Sequence, residues 1–320
     1  MSAPAPRLAG QDWILLIALS LLWGGSYFFS KIAVGALPPL TVVGGRVLIA
    51  ATILLAVCRI AGIPLSLDRW RNFLGMGALN NVLPFALIFW AQTEIASGLA
   101  SILNAMTPLF TALLAHGLTR DEKLTPARTA GIALGILGVA LLVGIEALDG
   151  IGSAILPEFA CLAAAISYAF AGIFARRRLQ GIPPLSAAAG QLTASSLMAL
   201  PLVALIDQPW LLPAPDTRIV GAMLGLALLS TALGYAIYFR VLARAGATNI
   251  LLVTLLIPPS AILLGTTLLD ERLSLHHLAG FTLIALGLAA IDGRPIGWLK
   301  KKTGRRISGG PPSKKLGGKA

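Results

Sequence analysis

Acidic residues are scarce in this chain: Asp and Glu together number 13 in 320 residues, and all charged residues make up only 12%. An average soluble domain carries roughly 25% charge, so a soluble fold is excluded. None of the 13 falls near the centre of a long apolar run, which argues against export of cations on a mid-membrane carboxylate. Cysteine is equally sparse. Cys58 and Cys161 sit in apolar runs of different halves without metal-ligand spacing, so packing is their expected role and neither a disulfide framework nor a metal site is expected. There is no Gly-rich phosphate loop, no His-Glu-x-x-His and no nucleophile elbow. An enzyme is therefore not expected, nor a cofactor, nor ATP-driven pumping by this chain alone.

What is present is apolar: 57% of residues are hydrophobic and the mean hydropathy is +0.84. The net charge of +12 does not form a nucleic-acid patch, because the basic residues sit in short turns and in the stretch after Arg294. The expected partners are the lipid bilayer and a small-molecule substrate, with no nucleic acid; homodimerisation is left open.

A membrane-crossing helix needs about 20 apolar residues. On that measure ten spans fit, at 13–33, 38–58, 70–91, 95–118, 126–146, 153–175, 183–205, 218–240, 247–268 and 274–292. The first lacks a small-x-small cleavage site after Phe28-Phe29-Ser30-Lys31, so it reads as a retained helix rather than a signal peptide. The fold class expected is an all-α membrane protein of about ten transmembrane helices arranged as two inverted five-helix repeats.

The repeat is written in the sequence itself. The hairpin 107–142 recurs at 257–291, with Asp121-Glu122 over Asp270-Glu271, Gly131 over Gly280 and Gly138 over Gly287. Pro38-Pro39-Leu40 recurs as Pro183-Pro184-Leu185, and that register lays Gly45 over Gly190 and Arg46 over Gln191. Phe85-Ala86-Leu87-Ile88-Phe89 recurs as Tyr235-Ala236-Ile237-Tyr238-Phe239. The organisation read from this is a short N-terminal segment 1–10, a first repeat 11–146, a second repeat 153–292 and a basic, Gly-, Ser- and Pro-rich tail 293–320 that is expected to be disordered.

Charge sets the expected orientation. With the N-terminus in the cytoplasm, the inside turns hold Arg59, Arg69, Arg71, Arg120, Lys123, Arg128, Arg176, Arg177, Arg178, Arg240 and Arg244, and the tail is inside too. The outside turns hold Lys31, Arg218 and Arg272 against seven acidic residues, from Glu94 to Glu271. Both termini are then cytoplasmic. Five spans per half invert the second half relative to the first, the symmetry of transporters whose site lies near the midplane.

Two five-span halves, Leu22-Trp23-Gly24-Gly25-Ser26 in the first span, Arg46 in the second, and Pro108 with the Asp121-Glu122-Lys123-Leu124-Thr125 hairpin and its copy resemble the EamA-type permeases of the drug/metabolite transporter superfamily. The resemblance covers about residues 11–292. It implies a multi-pass transporter of the inner cell membrane, an exporter or permease of small metabolites, often amino acids, with a central cavity between the halves.

The candidate cavity residues are Trp23, Tyr27, Arg46, Asn80, Asn104, Thr107, Tyr168, Gln191 and Tyr235. Arg46 is the one basic residue placed deep in a span. It reads either as a contact for a substrate carboxylate or phosphate, or as a structural Arg held by helix carbonyls. The aromatics either wall a cavity or pack. The amides and Thr107 either face substrate or bond between helices. Pro108 and Pro258-Pro259 are expected to interrupt the backbone ladder mid-span.

Overall fold

The computed structural model describes residues 10–118, 124–148, 155–245 and 252–292. No strand occurs among them, because lipid offers no partner for backbone groups and each span must satisfy its own. Ten helical spans follow in order: α1 (Gly10–Val34), α2 (Pro39–Ile60), α3 (Trp70–Glu94), α4 (Ser97–Leu118), α5 (Pro126–Leu148), α6 (Ile155–Arg178), α7 (Pro184–Asp207), α8, α9 (Leu252–Leu268) and α10 (Leu275–Asp292). The α8 span runs through three consecutive pieces, Thr217–Leu224, Gly225–Leu233 and Gly234–Ala245. Eight helices are long and apolar enough to cross a membrane; α9 and α10 are shorter apolar helices. Proline opens α2, α5 and α7, where its missing N–H removes no bond.

The packing repeats across a pseudo-two-fold axis. Helix α1 packs on α9 as α6 packs on α4, α3 on α6 as α8 on α1, and α3 on α7 as α8 on α2; α2 with α7 and α5 with α10 form pairs that straddle the axis. Side-chain ties between helix ends give the directions. Arg244, at the end of α8, donates to Asp12 Oδ1 (3.1 Å) and Gln11 Oε1 (3.0 Å) at the start of α1. Asn72, early in α3, donates to the Arg178 carbonyl at the end of α6 (3.2 Å). At the far end, Asp207 Oδ2 closing α7 accepts from Thr41 N (2.6 Å) and Oγ1 (2.8 Å) opening α2. So α1 and α6 run in opposite senses, and the second half is inverted.

Glycines set how closely the halves approach. A Cβ on Gly131 would lie 2.5 Å from the Gly287 carbonyl oxygen, and one on Gly138 would lie 2.8 Å from that of Gly280. The spaced glycines of the duplicated hairpin thus meet each other, and α5 crosses α10 backbone on backbone. In α2, a Cβ on Gly45 would strike the end of Met223; in α7, one on Gly190 would fall 2.6 Å from the Phe73 ring. Phe73 and Met223 occupy matching places in α3 and α8, so this too is one contact made twice.

The prolines break the helix at one place only, although at α9 each still leaves out a ladder N–H. Span α4 breaks into Ser97–Asn104 and Thr107–Leu118 around Ala105 and Met106, with Pro108 second in the new piece. Span α9 carries Pro258 and Pro259 inside one uninterrupted helix. The backbone also departs from α geometry at places that proline does not mark. Ala78–Val82 in α3 and Gly225–Leu233 in α8 are π turns at matching positions of the two halves, and Val203–Asp207 closes α7 as a third. The first Asp121-Glu122-Lys123 turn, residues 1–9 and residues 293–320 lie outside the described residues.

Candidate functional site

The π turns bring polar side chains to the middle of the molecule. The extra residue in each rotates the following turn and turns its side chains toward new neighbours. In α3 the turn carries Asn80 and Asn81; in α8 the register that lays Phe85 over Tyr235 lays Ser230 and Thr231 over them. Each turn faces the second helix of the opposite half.

Arg46, on α2, is 6% exposed and donates from Nε to Thr231 Oγ1 at 2.9 Å. Thr231 can accept because its own hydroxyl hydrogen goes to the Leu226 carbonyl (2.8 Å). The guanidinium carbon stands 3.8 Å over the centre of the Phe85 ring, and Phe89 is stacked on Phe85 at 5.8 Å. A desolvated cation over an aromatic face is worth about 2 kcal/mol, which offsets part of the cost of holding a charge inside a membrane.

The other half builds the counterpart with neutral groups. Gln191, on α7, donates from Nε2 to the Tyr235 hydroxyl (3.2 Å), and its Oε1 accepts from Asn80 Nδ2 (3.2 Å). Asn80 also reaches the Tyr235 hydroxyl (3.3 Å). One turn along, Asn81 Nδ2 donates to Ser195 Oγ at 2.9 Å. Arg46 with Phe85 and Thr231 thus parallels Gln191 with Tyr235 and Asn80, a charged and a neutral version of one arrangement in which the second half's link is made one residue earlier in the π turn, since the mate of Thr231 is Asn81.

Tyr168, Tyr235 and Tyr27 interact electrostatically with Arg46, and the Asn104 amide lies beside the Tyr27 hydroxyl. Tyr168, Tyr235, Asn80 and Asn104 keep intermediate exposure although their helices converge here. Thr107 donates to the Asn104 carbonyl (2.8 Å), holding the break in α4 closed. The Oδ1 atoms of Asn81 and Asn104 and the Ser230 hydroxyl are buried without a hydrogen-bond partner among the described residues. Unmet polar capacity of that kind is expected where a substrate or water completes the set.

Of the candidates read from sequence, Tyr27, Arg46, Asn80, Asn104, Tyr168, Gln191 and Tyr235 come together, with Thr107 at the edge. Trp23 does not join them. Its ring lies 5.5 Å from Tyr238 in a separate apolar cluster with Leu16, Leu19, Val241 and Val253, on the α1–α8 seam. Phe85 and Thr231 were not among the candidates. The duplicated register pointed to both, since Phe85 mates with Tyr235 and Thr231 with Asn81.

A separate groove of about 600 Å³ opens between α2, α7 and α8, lined by Ile53, Leu54, Val57, Leu185, Leu228, Leu229, Ala232, Leu233 and Ala236. Its lining side chains are all apolar and none offers a polar group to orient a metabolite, so it suits an acyl chain of the bilayer better than a substrate.

The comparisons with known proteins agree with this architecture. A probable amino-acid metabolite efflux pump of Escherichia coli K12 is 28% identical over 292 residues, covering 88% of this chain and 94% of that protein. The uncharacterized transporter YoaV of Bacillus subtilis is 24% identical over 277 residues, covering 85% and 94%. One solved crystal structure superposes with a TM-score of 0.62 at 20% identity over 88% of this chain and 96% of that one, which speaks for the fold alone. The description "EamA-like transporter family" matches residues 12–144 and again 155–291, one match to each set of five helices. Two inverted halves closing on a shared polar centre, each matched separately, make this multi-pass membrane chain a member of the EamA-like transporter family.

Proposed function

We propose that the chain is a secondary transporter that exports small amphipathic metabolites, amino acids or related compounds, across the cytoplasmic membrane by alternating access. The observation that carries this reading is the paired centre: Arg46 bound to the second half through Thr231, Gln191 bound to the first half through Asn80. Both links cross between the halves, so rocking one half against the other makes or breaks them. A site built this way is sensed by both conformations. The residues of that centre, Tyr27, Arg46, Asn80, Asn104, Tyr168, Gln191 and Tyr235, are the substrate contacts in this reading, with Thr107 shaping the edge.

The positive-inside bias puts both termini in the cytoplasm, so the Arg244–Asp12 end is the cytoplasmic one and the Asp207–Thr41 end faces outward. The likeness to a probable amino-acid metabolite efflux pump of Escherichia coli supports both the direction and the substrate class. Profiling small metabolites in medium and cells, with and without the protein, tests the reading. Export predicts solutes that fall in cells and rise in medium; the reverse pattern makes it an importer. No change in any solute, with folded protein in the membrane, leaves a scaffold rather than a transporter.

A further inference from the structure

A guanidinium has five hydrogen-bond donors on two usable edges, one made by Nε and an Nη and the other by both Nη groups. In Arg46 the first edge is taken at Nε by Thr231, and one flat face is covered by Phe85. Neither Nη group donates a hydrogen bond to any described residue, and no described carboxylate pairs with Arg46. The groups that interact with it electrostatically are the hydroxyls of Tyr168, Tyr235 and Tyr27, and beside Tyr27 the side-chain oxygen of Asn104 has no partner among the described residues.

We infer that the end-on edge of Arg46 is the receptor for a single carboxylate, and that this transporter recognises monoanionic organic acids by that group, with the substrate's amino group, where present, dispensable. The inference rests on the proposed transport function and narrows its substrate. A buried cation with idle donors is costly, and a carboxylate matches the spacing of two parallel N–H groups and removes that cost. Thr231 and Phe85 fix the guanidinium plane, so little freedom is lost on binding. The single positive charge sets the charge of the ligand: a phosphate monoester would bring a second negative charge that no described side chain here neutralises. An ammonium group would find aromatic rings but no paired carboxylate. Selection then falls on the acid group and on an apolar or aromatic body that fits among Phe85, Tyr27, Tyr168 and Tyr235.

Thermal stabilisation of the full-length protein in detergent, with ligands that share one body and differ in head group, reads this directly. The probes are L-phenylalanine, 3-phenylpropanoate, L-phenylalaninamide, phenethylamine and phenyl phosphate. The two carboxylates are expected to stabilise with affinities within about tenfold of each other, and the other three to bind about tenfold or more weaker, the scale of one charged hydrogen-bonded contact. Arg46→Gln is expected to erase the preference and Arg46→Lys to keep a weakened one, since charge remains and the fork is gone. The head-group comparison on the wild-type chain stands even where a variant fails to fold. Equal or better binding of the amide, the amine or the phosphate overturns the inference, as does absence of binding by both carboxylates. Because the readout is binding, its failure is distinct from the absence of flux that would sink the transport reading.

Discussion

At the scale of single residues, the centre is an exercise in satisfying buried polar groups with few partners. Thr231 spends its hydrogen on Leu226 and its lone pair on Arg46. Thr231→Val keeps the shape and removes the acceptor, leaving a charged N–H unmet, so the variant should lose about 1–3 kcal/mol of stability. Thermal unfolding in detergent checks this, and an unchanged midpoint would mean that Arg46 finds another acceptor. Gln191→Leu severs links to both Asn80 and Tyr235. Transport by that variant should fall at least about tenfold, given that each buried bond is worth on the order of 1 kcal/mol and two are lost.

At the scale of elements, two kinds of contact hold the halves together, and they behave differently. The α5–α10 crossing is steric. Gly131→Val places side-chain atoms where the Gly287 carbonyl lies, and the helices must separate, so the midpoint should drop by roughly 5 °C or more. Gly172→Ala is the control, since nothing lies within 4 Å of a Cβ there. The far-end contacts are electrostatic and reversible. Glu271 accepts from Ser97 N (2.8 Å), Ser97 Oγ (2.7 Å) and Gly98 N (3.3 Å), capping α4 from the loop after α9. Asp207 caps α2 in the same manner. Carboxylates of the second half thus sit on helix N-termini of the first, each worth roughly 0.3–1 kcal/mol. Glu271→Gln with Asp207→Asn should loosen this end without unfolding the protein. Distances between spin labels across it should lengthen, while those across the Arg244–Asp12 end stay or shorten. Unchanged distances at both ends would show that these caps do not hold the far end closed.

Much of this element plan is legible in the residues. Long apolar runs announce the ten spans, and the duplicated prolines and glycines announce the repeat, because membrane burial imposes length and close packing imposes small side chains. The π turns are not legible. Asn80 and Asn81 mark Ala78–Val82 as polar, but residue type carries no sign of the shift in backbone hydrogen bonding there. The same limit explains Trp23, whose residue type suits a cavity wall and whose position on α1 turns it to Tyr238 instead. Arg46 was legible as a buried charge, but its partner lies far along the chain on α8, and only the repeat register ties Thr231 to Asn81. Glu271, in the second copy of the Asp-Glu turn, joins α4 to the α9–α10 loop, a tie that its residue type alone does not announce.

At the scale of the whole molecule, inversion makes the two ends equivalent in plan and different in chemistry. One end is tied by Arg244, which reaches Asp12 and Gln11, and by Asn72, which donates to the Arg178 carbonyl; the other is tied by carboxylates on helix N-termini. In the structure both sets are formed around the centre. Alternating access requires that either set release while the other holds, so that the centre opens to one side at a time. Asn104 is the best reporter, because it lies in the centre itself and its side-chain oxygen has no partner among the described residues. With Cys58 and Cys161 replaced by Ala, Asn104→Cys should react with a membrane-impermeant maleimide supplied from either side of a sealed vesicle. Adding a transported solute should shift the ratio of the two rates. Reaction from neither side, in protein that is folded and membrane-inserted, would contradict the account.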